Sequence, residues 1–441
     1  MIRLALLSIA RHRAGAAATA MVVLVGVMLL SGMAGVMATG LAASTRVEDR
    51  AFLVQFPVIL GSWILGIVVF AVISTVGVAL GGRTEEVRGL RLIGATPGQV
   101  RRMVSVETLV IAAVAAVPGI LLGYAFGAVI VTATAASGVI SGAATFAPGA
   151  LAPVLAGVVV IVAATVGAFV GSREAAGRSP IGEPTAAKRS RAARPRRIVA
   201  VILTVVGLGS SLTALAMDPA SVYATAATGP GCVLVAVGAA LLAPELLRLA
   251  DRTLIVVLRR RGGAETRLAA TNLRVAPERI RPAVTFLTLF VGVAAGTLSM
   301  QSIENQASRA GDGIGQLMAA INYLVVLLIA AFMSIALVNN LIASIRQRRS
   351  ELAVLSSVGA TTGQATRMLV TETAVAAIVA VVVGTVGSIA VVVPFAILKT
   401  GTAAAAVQVL PLVAVVIAAA GITLFTTVVS GGQTARAARV A

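Results

Sequence analysis

The 441-residue chain is poor in the residues that do chemistry. It has one cysteine, one histidine and one tryptophan, and only 12% of its residues are charged. Cys232 alone forms no internal disulfide and no thiolate cluster, so its expected role is that of a small apolar helix residue. His12 stands between Arg11 and Arg13 without the further ligands a metal needs. No G-x-x-x-x-G-K-[ST] phosphate loop occurs, and no soluble stretch is large enough to hold a nucleotide. Neither a nucleophilic triad nor a pair of carboxylates converging on one cavity can be assembled, so an enzyme is not expected. The expected catalytic residues, metal ligands and cofactors of this chain are none.

What the chain does contain is apolar surface. It is 59% hydrophobic, with a mean hydropathy of +1.02. Uncharged runs of about 20 residues match a bilayer core about 30 Å thick. These runs are continuous, which excludes the short alternating strands of a barrel. Ten spans are expected, at 14–42, 52–80, 107–134, 150–171, 198–217, 229–249, 284–300, 319–343, 369–397 and 407–430. The fold class is therefore an all-α polytopic membrane protein. A signal peptide is the alternative for the first span. Its uncharged run from Ala14 to Thr45 is much longer than a signal core of about 7–15 residues, which favours a retained helix.

The formal charge of +19 invites a nucleic-acid reading, and topology removes the need for one. With ten spans and the N-terminus inside, all Lys and Arg except Arg46, Arg50, Arg309 and Lys399 lie on the inner side. Five acids (Glu48, Asp49, Asp218, Glu304 and Asp312) lie outside. This positive-inside bias accounts for the charge and places both termini in the cytoplasm. No nucleic-acid partner is expected.

One charged passage occurs twice. "RTEEVRGLRLIGATPGQVRRMVSVET" from Arg83 aligns without a gap with "RRSELAVLSSVGATTGQATRMLVTET" from Arg348, and 12 of the 26 positions are identical. Their flanks also match, with "RLALLSIARHR" from Arg3 facing "RLAATNLRVAP" from Arg267. Each flank suits a short amphipathic helix on the inner leaflet. The expected organisation is a four-helix unit (1–171), a flexible basic cytoplasmic linker (172–197), two connecting helices (198–249) and a second four-helix unit (250–441). Both units begin and end inside, so they are parallel repeats. The outer loops are short, the longest being about 18 residues around "QSIENQASRAGDGIGQ", and hold no folded domain.

Inside the repeat, Val87, Leu90 and Ile93 recur at i, i+3 and i+6, and Leu352, Leu355 and Val358 stand at the aligned positions. This predicts an amphipathic helix of about three turns with charges on its other faces. Gly94 and Gly359 are helix stops. Thr96 with Gln99, and Thr361 with Gln364, are capping boxes that start a second helix. The simplest reading is a well-capped connector retained after duplication. That reading explains the caps but not the paired charges Arg83/Arg348 and Glu86/Glu351, which suit an exposed docking surface. A DNA-reading helix-turn-helix is disfavoured because both ends are pinned to the bilayer and copy two lacks counterparts of Arg88, Arg91 and Arg101.

The pattern R-x-x-E-x-x-x-L-x-x-x-G-A-T before a long apolar span resembles the cytoplasmic signature of FtsX-like permeases, the membrane subunits of MacB-type ABC transporters. The ten-span plan is similar to the fused permeases of that family. The resemblance implies coupling helices that seat in a cytosolic ABC ATPase, two copies of which would bind ATP and Mg on behalf of this chain. By that resemblance the coupling residues are Arg83, Glu86, Leu90, Arg91 and Gly94 in copy one, and Arg348, Glu351, Leu355 and Gly359 in copy two. Many members carry a large outer domain, and this chain has no room for one, so an accessory extracellular or lipoprotein subunit would take that part.

The expected function is a permease subunit in the bacterial plasma membrane that moves a hydrophobic, amphipathic or lipid-like substrate, with export favoured. Membrane lipid is the other expected partner. One alternative is a transmitter that relays ATPase state to an outer partner without transport. An ion-coupled carrier is a second alternative, but it needs ionisable groups at mid-membrane. The spans hold almost none, and Glu107, Glu245 and Glu372 sit near inner helix ends where water can reach them.

Overall fold

The computed structural model describes residues 13–81, 84–136, 138–141, 145–177, 186–219, 223–250, 252, 256, 263–277, 280–307 and 313–439. Among them there is no strand. In lipid a helix satisfies every backbone polar group within its own segment, which is why runs of Ala, Val, Leu and Gly take this form. The first group of helices is α1 (Arg13–Leu41), α2 (Val47–Gly81), α3 (Thr84–Leu92), α4 (Pro97–Ala136) and α5 (Leu151–Gly177). Next come α6 (Ala186–Leu212), α7 (Tyr223–Leu241), α8 (Ala243–Ala250), α9 (Ala264–Val275) and α10 (Arg281–Ala307). The last are α11 (Gly313–Arg346), α12 (Arg349–Ser357), α13 (Thr362–Thr400) and α14 (Val409–Arg439).

Nine helices among the described residues are long and apolar enough to cross a membrane. They fall on nine of the ten expected spans. The other, 319–343, falls on α11, whose described apolar part is Met333–Arg346. The chain divides into two compact units, residues 1–184 with 304–332, and residues 185–303 with 333–441.

In the first unit α1 packs against α2, α4 and α5. A Cβ on Gly119 of α4 would lie 2.9 Å from the Leu24 carbonyl oxygen of α1. In the second unit a Cβ on Gly384 of α13 would lie 2.9 Å from the Val291 side chain and 3.0 Å from the Gly292 nitrogen, both on α10. Gly119 and Gly384 are 265 residues apart, the offset of the charged repeat. The duplication therefore extends into the membrane as a matching close helix approach, which only a small residue permits.

Three expectations about connections change. The basic stretch 172–197 is largely helical: α5 runs on to Gly177 and α6 starts at Ala186 and passes through Pro195. Its prolines 180 and 184 lie outside the described residues. The physical reason is an anchor for α6, since Arg196 and Arg197 both bond Glu245 near the start of α8. The stretch expected as the longest loop is helical among its described residues, since α10 continues to Ala307 and α11 begins at Gly313, and residues 308–312 lie outside the described residues. Finally, α6 and α7 belong to the same compact unit as the second repeat. The Ser211 hydroxyl of α6 donates to the Val391 carbonyl of α13, and Gly231 of α7 abuts Val391.

Candidate functional site

Each charged repeat folds as a short helix, a glycine turn and the start of a long helix. At the end of α3, Gly94 has φ +99°, and at the end of α12, Gly359 has φ +98°. A residue with a side chain is strained there, whereas glycine is not. The hydrogen bonds around both glycines are the same. The Gly94 amide donates to the Arg91 carbonyl at 3.2 Å and the Ala95 amide to the Leu90 carbonyl at 2.9 Å. In copy two the Gly359 amide donates to Ser356 and the Ala360 amide to Leu355, both at 3.0 Å. These are the paired bonds of a Schellman stop.

The next helix starts at once. The Gln99 amide donates to Thr96 Oγ1 at 3.2 Å, and the Thr96 amide to Gln99 Oε1 at 2.8 Å. Thr361 and Gln364 make the same reciprocal pair at 3.2 and 3.0 Å. The helices that follow, α4 and α13, have 40 and 39 residues. At 1.5 Å per residue each is about 60 Å long, twice the ~30 Å hydrocarbon core. Each therefore has length enough to carry its first turns, and the foot joined to them, clear of that core.

The apolar stripe does not lie on one face. Val87 is buried with Val100, and Leu352 is buried among Ala269, Ile345, Met368 and Leu369. Leu90 and Leu355 are half-buried. Ile93 and Val358, the third members, are each 83% exposed. At about 100° per residue, six residues turn a side chain roughly 120° away from its starting direction. Both positions also fall in the Schellman turn, beyond the last helical residue. Each foot thus carries a bare apolar tip beside its glycine.

Arg348 and Glu351, expected on an outer docking face, are instead engaged within the protein. The Arg348 side chain is 10% exposed and lies between two carboxylates, Glu351 at 24% and Glu372 at 5%. Its Nε donates to Glu351 Oε2 and its Nη2 to Glu351 Oε1, both at 3.1 Å. Nη1 donates to Glu372 Oε2, and Nη2 also reaches Glu372 Oε1 at 3.2 Å. Asn272 of α9 closes the cluster, with Nδ2 2.9 Å from Glu372 Oε1 and 3.4 Å from Glu351 Oε1. Burial works to lower the pKa of Arg348, but hydrogen bonds and charge from Glu351 and Glu372 outweigh it and raise it. The cluster turns inward because α12 is short and lies against α13 and α14, leaving Arg348 at its N-terminus facing the next helix.

In copy one Glu86 is exposed, Arg91 is half-buried and Glu107 is buried; Arg83 lies outside the described residues. Leu355, Gly359, Thr361 and Gln364 occupy in copy two the places of Leu90, Gly94, Thr96 and Gln99. Two members of the Arg348 cluster, Glu372 and Asn272, were missed as site residues. The pairs Glu107-Thr108 and Glu372-Thr373 were identical in both repeats, which was the available signal. Glu372 does not reach water as expected. Glu245 is partly buried too, with Arg197 Nε at 2.7 Å and Arg196 Nη2 at 2.9 Å. Burial raises its pKa, but these hydrogen bonds and the Arg196 charge prevail and hold the carboxyl below its ordinary value. A further contact without a sequence signal is Arg101 of α4, which stacks 3.6 Å from the Phe169 ring centre of α5.

Residues 58–180 and 323–438 each match the FtsX-like permease C-terminal family, together more than half of the chain. The chain belongs to the FtsX-like permease family. Each matched segment of this permease begins one span before a foot, contains the foot and ends after the second span that follows it. The stretch between them, with α6 to α10, is unmatched. Comparison with curated proteins gives no match. Family membership and the apolar helices make this permease a multi-pass membrane protein. The family is a membrane transport component, generally not itself catalytic, and it implies partnership with an ABC ATPase.

Proposed function

We propose that this permease is the membrane subunit of a MacB-type ABC transporter in the ten-span fused form. Two copies of a cytosolic ATPase, which hold ATP and Mg, dock one under each foot. Closure and opening of the ATPase pair drive the two four-helix units, related as parallel repeats, and so move a hydrophobic, amphipathic or lipid-like substrate outward. The protein sits in the bacterial plasma membrane with both termini in the cytoplasm, and an accessory outer subunit supplies the large domain this chain lacks.

One observation carries the docking reading. Both feet have the same stop, the same cap and the same exposed apolar tip, Ile93 and Val358. A large aliphatic side chain 83% exposed at two equivalent places suits the centre of an interface. Glu86 is exposed on the first foot, whereas Arg348 and Glu351 are engaged within the second. The test is to co-express the permease with an ABC ATPase encoded beside it. Ile93→Glu with Val358→Glu is expected to abolish co-purification and permease-stimulated ATP turnover. Undiminished binding and turnover in the double variant would overturn the assignment.

A further inference from the structure

The repeated charges have an internal use. Arg348 precedes α12, Glu351 lies on α12, Glu372 lies ten residues into α13, and Asn272 comes from α9. One guanidinium fork therefore ties the foot to the long helix behind it, and Asn272 joins the amphipathic helix to the same two carboxylates. Its planar donors suit this task, since they reach two carboxylates at once. Beneath the cluster, Leu352 packs with Ala269 of α9, Met368 and Leu369 of α13, and Ala435 and Ala438 of α14. Arg349 adds a bond from Nη2 to the Ala437 carbonyl of α14 at 3.2 Å.

We infer that Arg348, Glu351 and Glu372 form a latch that locks the second foot to α13 and α9, so that a displacement imposed on the foot reaches the membrane helix without being absorbed at the glycine turn. Without such a tie, the turn around Gly359 would be a hinge, because the Schellman and capping bonds fix only its local shape. The latch bridges the hinge from Arg348 on one side to Glu372 on the other. Arg348 is thus a positioning residue and acts through the helices it joins. Arg83, Glu86 and Glu107 stand at the aligned positions of copy one, and Ser8 stands opposite Asn272. The charge triplet written twice is the part of the repeat that neither the caps nor the apolar tip explains.

The mechanical half of this inference is independent of the docking reading, whereas its consequence for ATP turnover rests on it. In full-length permease carrying Cys232→Ala, nitroxide labels at positions 354 and 382 report the α12–α13 distance by pulsed electron resonance. Labels at 367 and 382 report α13 alone. The unsubstituted latch is expected to give one narrow 354–382 distribution. Arg348→Gln leaves two carboxylates facing each other without their cation. It is expected to broaden the 354–382 distribution and leave the 367–382 distribution unchanged. Adding Glu372→Gln removes the deepest unpaired charge, and the double variant is expected to be narrower than Arg348→Gln alone. A distribution unmoved by Arg348→Gln, or a double variant broader than the single, overturns the latch. In the complex, Arg348→Gln is expected to keep the ATPase bound while permease-stimulated turnover falls several-fold. Loss of binding would make Arg348 a docking contact instead, and full turnover would refute transmission through it.

Discussion

At the scale of single residues, the two turn glycines are separable from everything around them. A Cβ at Gly359 would meet no atom within 4 Å, so substitution there tests backbone conformation alone. Gly359→Ala is expected to destabilise the protein by about 1–2 kcal/mol, the cost of holding a side-chain-bearing residue at positive φ. Denaturant titration of the solubilised protein measures it, and a neutral result would mean the turn relaxes to another shape. Glycine stops and threonine caps were legible in the sequence because their function is local: one residue type meets one backbone geometry, and three-residue spacing sets the reciprocal bonds. Arg348 and Glu351 were read as outward-facing because spacing along a helix does not reveal what packs against it. Their partners, Glu372 and Asn272, lie 24 and 76 residues away from Arg348, beyond any local pattern.

Among elements, α6 is anchored to α8 through the ion pairs of Arg196 and Arg197 with Glu245. Because the folded carboxyl is held below its ordinary value, the tie is complete above that ordinary value. It is lost as the pH falls through the lower, folded value. Thermal unfolding of the permease and of Glu245→Gln across the acidic range should therefore show the two converging as pH falls. A gap independent of pH would assign the contact to packing instead. The spans themselves followed from length and hydropathy, as the bilayer demands. Their connections did not. Arg-rich, proline-containing sequence at 172–197 looked unable to bury a core, yet Arg196 and Arg197 find an acid almost fifty residues on, and the helix extends through Pro195 to meet it.

For the whole molecule, the duplication is deeper than the charged passage that first marks it. Gly119 and Gly384 place a close helix approach at the same register in both units, so the repeat extends from the feet into the apolar spans. The family match spans both stretches, but the charged passage alone does not reveal which glycines meet a neighbouring helix. If both feet lie on one side of the membrane, cysteines introduced at Leu92 and Val358 on a Cys232→Ala background should react with an impermeant maleimide only in inside-out vesicles. A cysteine at Thr402, in the loop after α13, should react only from the opposite face. Labelling of the two feet from different sides would break the parallel arrangement.

The closed hydrogen bonding of the turn also limits how anything can recognise it. From Ile93 to Val100 six of the seven amides, those of Ile93, Gly94, Ala95, Thr96, Gln99 and Val100, already donate within the protein, and Pro97 has none to offer. Such a surface is no template for an added strand and no nest for an anion. A reader of the foot must therefore use its silhouette and its side chains, and sequence drift at those side chains could change the reader while the skeleton beneath stayed the same.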